Sequence, residues 1–343
     1  MYFRKEVQQL YYLGSTLVKS VPLILCGISV LFAYKAGLFN IGVGGQYCLA
    51  IGVSLWAALS WHLPWFLCVL VAALAAMAWG ALAGALKAFF NINEVIACIM
   101  LNWIALYLVN MLMQNETVMN LSISESHKIL PNSPGSLIPS LGLEKFFSNN
   151  EYVTIAIPLT LVVAVAILVV LTRTTFGYEL RATGINKNAA KYAGMQDKRN
   201  ISLTMAIAGA LAGGGAALYW LSGNTEFYWS TYQSLPDAGF NGIPVALLAT
   251  NNPIGVVFTG VFMAMLDIVG AKLTGYTAYN EYITDVIIAV IVYLSAFSLV
   301  IRMWLNGKGK KQNSSNANAE PQPINPPKPT IQPAETEEGG DKE

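Results

Sequence analysis

Apolar runs of membrane-crossing length, separated by short intervals that hold almost all of the charge, constrain this chain more than any other feature. About 20 apolar residues in a helix cross the hydrocarbon core of a bilayer. Runs or near-runs of this kind occupy 18–36, 40–60, 64–88, 94–114, 154–172, 201–221, 254–272 and 282–304. Only 11% of the 343 residues are charged while 55% are hydrophobic, and the net charge is +1. A soluble domain has roughly a quarter of its residues charged, and a membrane barrel would read as alternating segments of about 10 residues. The pattern predicts an all-α, polytopic integral membrane helix bundle of roughly eight to ten transmembrane helices, some broken or re-entrant. A shorter apolar piece at 238–250, bracketed by Asn241-Gly242 and Asn251-Asn252-Pro253, cannot cross alone. Irregular backbone at that depth needs surrounding protein or a water-filled cavity.

The first run begins near Val18, contains Pro22 and is followed by no small-residue cleavage site, so it reads as a retained span rather than a signal peptide. Cys26, Cys48, Cys68 and Cys98 lie within apolar segments at wide spacings that match neither a zinc nor a disulfide pattern, and they read as small buried hydrophobes.

Charge predicts orientation. The interval 173–200 carries Arg173, Arg181, Lys187, Lys191, Lys198 and Arg199 against Glu179 and Asp197. The start (Arg4, Lys5, Lys19) and the end (Arg302, Lys308, Lys310, Lys311) are also basic. The positive-inside rule assigns all three to the cytoplasm. The organisation expected is a cytoplasmic segment at 1–17, a transmembrane domain at 18–306 with an external loop near 115–152 and a cytoplasmic segment near 173–200, and a disordered cytoplasmic tail at 307–343. This scheme raises a parity problem. Four full crossings from inside would return the chain to the inside by residue 115, yet the loop there is acidic and reads as external. One element within 18–114 must then be irregular, and the glycine cluster in GLFNIGVGGQ (37–46) is the natural place for it. A similar Gly-rich element, AGALAGGGA at 208–216, recurs in the second half together with 239–255. This weak parallelism resembles the internal repeats of transporters.

Enzymatic readings are few. The glycine cluster lacks the spacing of G-x-G-x-x-G and any strand–turn–helix setting, NGKGKK at 306–311 lacks the Ser or Thr of a phosphate loop, and two histidines do not make a His-rich metal centre. No G-x-S-x-G or H-E-x-x-H is present. The chain is therefore not expected to be an enzyme.

The informative residues are polar ones inside apolar runs: Asn40 and Gln46 around the glycine cluster, Asn93 and Glu94 opening the fourth run, Asn102 within it, and Asn241 and Asn251 bracketing the short element. Buried amides either join helices to one another or offer donor and acceptor pairs to an uncharged solute in a polar passage. Any one of them is well explained by helix–helix bonding; as a set they point to a passage. Glu94 and Asp267 raise a stand-alone ion-coupled transporter as a competing mechanism, with Lys272 the nearest cation to Asp267 in sequence, and a non-transport membrane receptor or scaffold is a further alternative. On the cytoplasmic side, Lys187 to Met195 is compatible with a short helix that Asn186 would cap. Such an element docks on a bilayer surface or on a partner.

Four stretches in order, GLFNIGVGGQ (37–46), NEVIACIMLNWIA (93–105), RATGINKNAAKYAGM (181–195) and GFNGIPVALLATNNPIG (239–255), resemble the membrane permeases of ABC importers in the branched-chain amino acid and ribose superfamily. They look most like the nucleoside and simple-sugar permeases that work with basic-membrane-lipoprotein-type binding proteins. The resemblance runs from about residue 10 to 305. It implies that Arg181, Gly184, Asn186, Ala189, Ala190, Tyr192, Ala193 and Gly194 form the segment that couples to the ATPase, which settles the docking question for a partner. Relatives usually carry a glutamate at the position of Gly44, so no role of that acid transfers here.

The resemblance also implies a multi-pass protein of the cytoplasmic membrane with both termini in the cytoplasm. Its partners would be ABC ATPase subunits, a second permease subunit of the same or a related chain, and an extracytoplasmic substrate-binding lipoprotein, with no nucleic acid involved. ATP and magnesium would reside on the ATPases, and this chain would bind no cofactor. The implied mechanism is alternating access driven by the ATPases. The solute would be a nucleoside or a simple sugar, with nucleoside the closer resemblance. Trp103 and Tyr107 are aromatics that suit a base or a membrane interface equally.

Overall fold

The computed structural model describes residues 2–122, 125–224, 234–250, 252–273, 283–294 and 297, with side chains from residue 8 onward. The helices are α1 (Tyr2–Lys35), α2 (Val43–Leu59), α3 (Trp65–Phe90), α4 (Glu94–Met113), α5 (Ile129–Asn132), α6 (Ala156–Arg173), α7 (Thr175–Ile185), α8 (Lys187–Tyr192), α9 (Asp197–Trp220), α10 (Asp237–Leu248) and α11 (Pro253–Leu273). A further apolar helix, α12, covers Ile283–Leu294. Six of the described helices are long and apolar enough to cross a membrane: Gln8–Lys35 of α1, and α3, α4, α6, α9 and α11. The chain is accordingly a largely helical bundle of the polytopic membrane type. The expected tail at 307–343 and the basic end near Arg302 lie outside the described residues.

Small residues set how the bundle packs. Without a hydrophobic force between helices in lipid, association depends on close packing and interhelical hydrogen bonds. The most extensive contact is α3 against α9. There Gly80 approaches so near that a Cβ would stand 2.2 Å from the Met205 carbonyl oxygen, and one on Gly209 would stand 2.2 Å from that of Ala76. α2 lies inside the bundle against α3, α4 and α9, with nearly every residue buried. Ser29 Oγ of α1 donates to the Ala208 carbonyl of α9 at 2.7 Å, adding a polar tie between two long helices.

The bundle has two distinct ends. At one, Asn150 Nδ2 donates to the Tyr11 carbonyl at 3.1 Å and to Ser15 Oγ at 2.9 Å, and Ser60 lies 2.9 Å from Thr117. Ile138 N–H donates to the Leu221 carbonyl on the same side. The 115–152 interval thus covers the start of α1, the end of α2 and the end of α9. It contains a two-stranded antiparallel ribbon, β1 (Met119–Asn120) with β2 (Glu125–Ser126), the short α5 and two 3-10 turns. At the other end, Gly184 of α7 packs on Lys35 to Gly37, Lys87 pairs with Glu94 at 2.9 Å, and the Lys198 ammonium sits over the Phe89 ring.

Helix α1 connects these two ends. Residues 11–15 and 35–37 lie at opposite ends of α1, about 30 Å apart at 1.5 Å per residue. The N-terminal part of α1 therefore does not share a face with 173–200. With the chain entering at the loop end, α1 to α4 return it to that end at residue 115, and parity needs no irregular element within 18–114.

Candidate functional site

The glycine cluster at 42–45 serves close approach more than bending. The turn between α1 and α2 is made by residues 36–42, with Gly37 at φ +73, a left-handed conformation that glycine adopts without a Cβ penalty. Gly44 and Gly45 belong to α2 itself. A Cβ on Gly45 would meet Asn102 at 2.6 Å, and one on Gly44 would meet the Phe240 ring at 2.6 Å.

Around that turn the amides bond to one another. Asn40 Nδ2 donates to Gln46 Oε1 at 3.0 Å and to Ser29 Oγ at 3.2 Å, and Gln46 Nε2 donates back to Asn40 Oδ1 at 3.3 Å. Both residues are fully buried. Asn102 Oδ1 accepts from Gly45 N–H at 2.9 Å while its Nδ2 donates to the Ile41 carbonyl at 3.1 Å. Asn93 caps α4, accepting from Val95 N–H, and Glu94 is held by Lys87. Of the residues expected along a passage, Asn40, Gln46, Asn93 and Glu94 thus have structural partners and line neither cavity described next. Asn251 lies outside the described residues.

Two cavities are formed among the described residues. The larger, about 1050 Å³, is walled by α1, the end of α9, α10, α11 and α12. Asn241 faces it, together with Tyr219, Thr284 and the charged Lys19, Asp237, Asp267 and Asp285. Lys19 Nζ pairs with Asp267 Oδ2 at 2.8 Å, so the partner of that acid comes from α1, and Lys272 instead sits over the Tyr12 ring. The smaller cavity, about 280 Å³, lies between α4, α10 and the 36–42 turn, beside Ile41, Ile99, Asn102 and Trp103. Asp237 and Phe240 line both. Asp237 and Phe240 were not among the residues expected from sequence because nothing local marks them; the packing of α10 between distant helices brings them to both cavities.

The 173–200 interval folds as two helices in tandem. Thr174 caps α7, accepting from Gly177 N–H at 3.1 Å, and Asn186 caps α8, accepting from Ala189 N–H at 3.0 Å. Ala190 is buried and anchors α8, Lys187 Nζ reaches Asp197 at 3.5 Å, and Gly194 ends the element at φ +82. Arg181, Asn186, Ala189, Tyr192, Ala193 and Gly194 are exposed, while Gly184 faces inward onto α1. Tyr192 is 95% exposed and Ile185 is 87% exposed. Ile185 is a large exposed apolar side chain within this interval and is an addition to the residues expected from sequence.

The family model described as "Branched-chain amino acid transport system / permease component" matches residues 12–296. The guanosine ABC transporter permease protein NupP of Bacillus subtilis is 33% identical over 90% of this chain and 87% of its own length. The nucleoside ABC transporter permease protein NupB of Lactococcus lactis subsp. cremoris is 34% identical over 89% of this chain and 84% of its own. The glucose ABC transporter permease protein TsgB13 of Haloferax volcanii is 29% identical over 84% of this chain and 77% of its own. No solved structure matches the chain.

Proposed function

The chain belongs to the branched-chain amino acid transport system permease family and is the membrane permease subunit of an ABC importer, and from that premise we propose that its solute is a nucleoside. Two relatives named for guanosine or nucleoside transport are 33% and 34% identical, against 29% for the one named for glucose. The observation that carries the reading is the larger cavity. It offers hydroxyl and amide groups, apolar walls and three carboxylates against one ammonium. Carboxylates accept the hydrogens of ribose hydroxyls and repel phosphate, so the cavity suits an uncharged nucleoside over a nucleotide.

The catalytic step of ATP hydrolysis belongs to separate ATPase subunits. We assign their docking to α7 and α8, with Arg181, Asn186, Ala189, Tyr192, Ala193 and Gly194 at the contact and Gly184 passing its movement to the 36–42 turn. A second permease copy or relative and an extracytoplasmic binding lipoprotein complete the assembly. The coupling end faces the cytoplasm, the loop end faces outward, and the spans number roughly eight to ten once the shorter α2, α10 and α12 are counted. Residues 307–343 form a cytoplasmic tail.

A binding screen of the cognate lipoprotein against nucleosides, nucleotides and simple sugars tests the solute. Nucleosides are expected to bind at micromolar or lower concentration and nucleotides not at all. Selective sugar binding would contradict the assignment.

A further inference from the structure

Two residues of α10, Asp237 and Phe240, line both cavities. The larger reaches toward the loop end along Lys19 and Asp267, and the smaller lies toward the coupling end beside Ile41 and Ile99. Phe240 lines both, and its ring rests on Gly44. A Cβ at position 44 would stand 2.6 Å from Phe240 Cζ and within 2.9 Å of two further ring carbons. Carbon atoms pack at about 3.5–4.0 Å, so the ring holds this position only because residue 44 has no side chain. Four residues on, Pro244 has no N–H to give the Phe240 carbonyl. A missing bond at that place in α10 makes it a natural bend, and the bend lies next to the ring that would have to move.

We propose that Phe240 is the gate of the passage: seated on Gly44 it separates the outer cavity from the inner one, and its withdrawal joins them. The inference rests on the reading above that both cavities belong to the solute path. Gly184 packs on Lys35 to Gly37, and the 36–42 turn that follows leads into α2, where Gly44 carries the ring. Movement of α7 and α8 therefore reaches the α2 start on which the ring sits.

The test uses the whole transporter in intact cells, with Ile99→Cys as a reporter in the inner cavity. The four native cysteines are buried, so background labelling is low. A membrane-impermeant thiol reagent added outside is expected to label Ile99→Cys about tenfold faster when Phe240→Ala removes the ring, the effect of a comparable shift toward the open state. Gly44→Ala, whose methyl group displaces the ring, is expected to act in the same direction. Combining both changes should add nothing further, because neighbours acting through one contact are not additive. Energy-depleted cells carrying Phe240→Ala should also leak preloaded guanosine. Wild-type labelling rates in both single variants, at normal abundance in the membrane, would overturn the gate. Failure of the unmodified transporter to take up guanosine would instead count against the nucleoside reading and leave the labelling result standing.

Discussion

Helix α2 begins on Gly42, which has no side chain to cap it, and Asn102 of α4 supplies the acceptor for the Gly45 N–H. The same amide donates to the Ile41 carbonyl, so one residue ties the turn to a neighbouring helix on both sides. Asn102→Leu leaves a buried N–H and a carbonyl without their partners, a loss of about 1–3 kcal/mol for each group left unsatisfied. The expected outcome is a lower thermal midpoint for the detergent-solubilised protein, with a smaller loss for Asn102→Asp, which keeps the acceptor. An unchanged midpoint together with abolished uptake would show that the amide serves the solute instead. At this scale the sequence was legible in kind and not in pairing. That Asn40, Gln46 and Asn102 need hydrogen-bond partners inside the bundle follows from their polarity within apolar runs. That Asn40 and Gln46 satisfy each other depends on the 36–42 turn, and no local pattern encodes that contact.

Among the elements, α7 and α8 carry the clearest division of labour. Buried Ala190 and the caps from Thr174 and Asn186 hold the pair in shape, while Tyr192 and Ile185 are exposed. Tyr192→Ala and Arg181→Glu are expected to leave folding intact, since surface changes of this kind cost within about 0.5 kcal/mol. Each should reduce solute uptake per ATP hydrolysed in the reconstituted complex, by about tenfold if the lost contact is worth about 1.4 kcal/mol. Unchanged stoichiometry in both variants would move the coupling role elsewhere. Element positions were largely readable: the runs at 64–88, 94–114, 154–172 and 254–272 became α3, α4, α6 and α11 within a few residues. The short piece at 238–250 became α10, and the cap at Asn186 was visible from its side chain alone. The division between Asp237, Phe240 and their two cavities was not, because it arises where α10 meets α2 and α4 rather than within α10.

For the molecule as a whole, the two ends of the bundle make sidedness a sharp expectation. A single cysteine at Lys128 in the loop should react with an impermeant reagent in intact cells, and one at Lys191 in α8 should react only after the membrane is opened. The reverse pattern would invert the orientation. Charge alone places the start of the chain on the side of 173–200, whereas Asn150 of the loop packs on Tyr11 and Ser15, at the far end of α1 from residues 35–37. The central claim is that this chain forms a nucleoside passage powered by ATP on other subunits. Uptake of labelled guanosine into proteoliposomes holding the permease, its ATPases and its binding lipoprotein tests that most directly. Uptake that requires this chain and internal hydrolysable ATP, and that ignores proton and sodium gradients, is the predicted result. Uptake driven by an ion gradient without ATP, or none for any nucleoside, would contradict it.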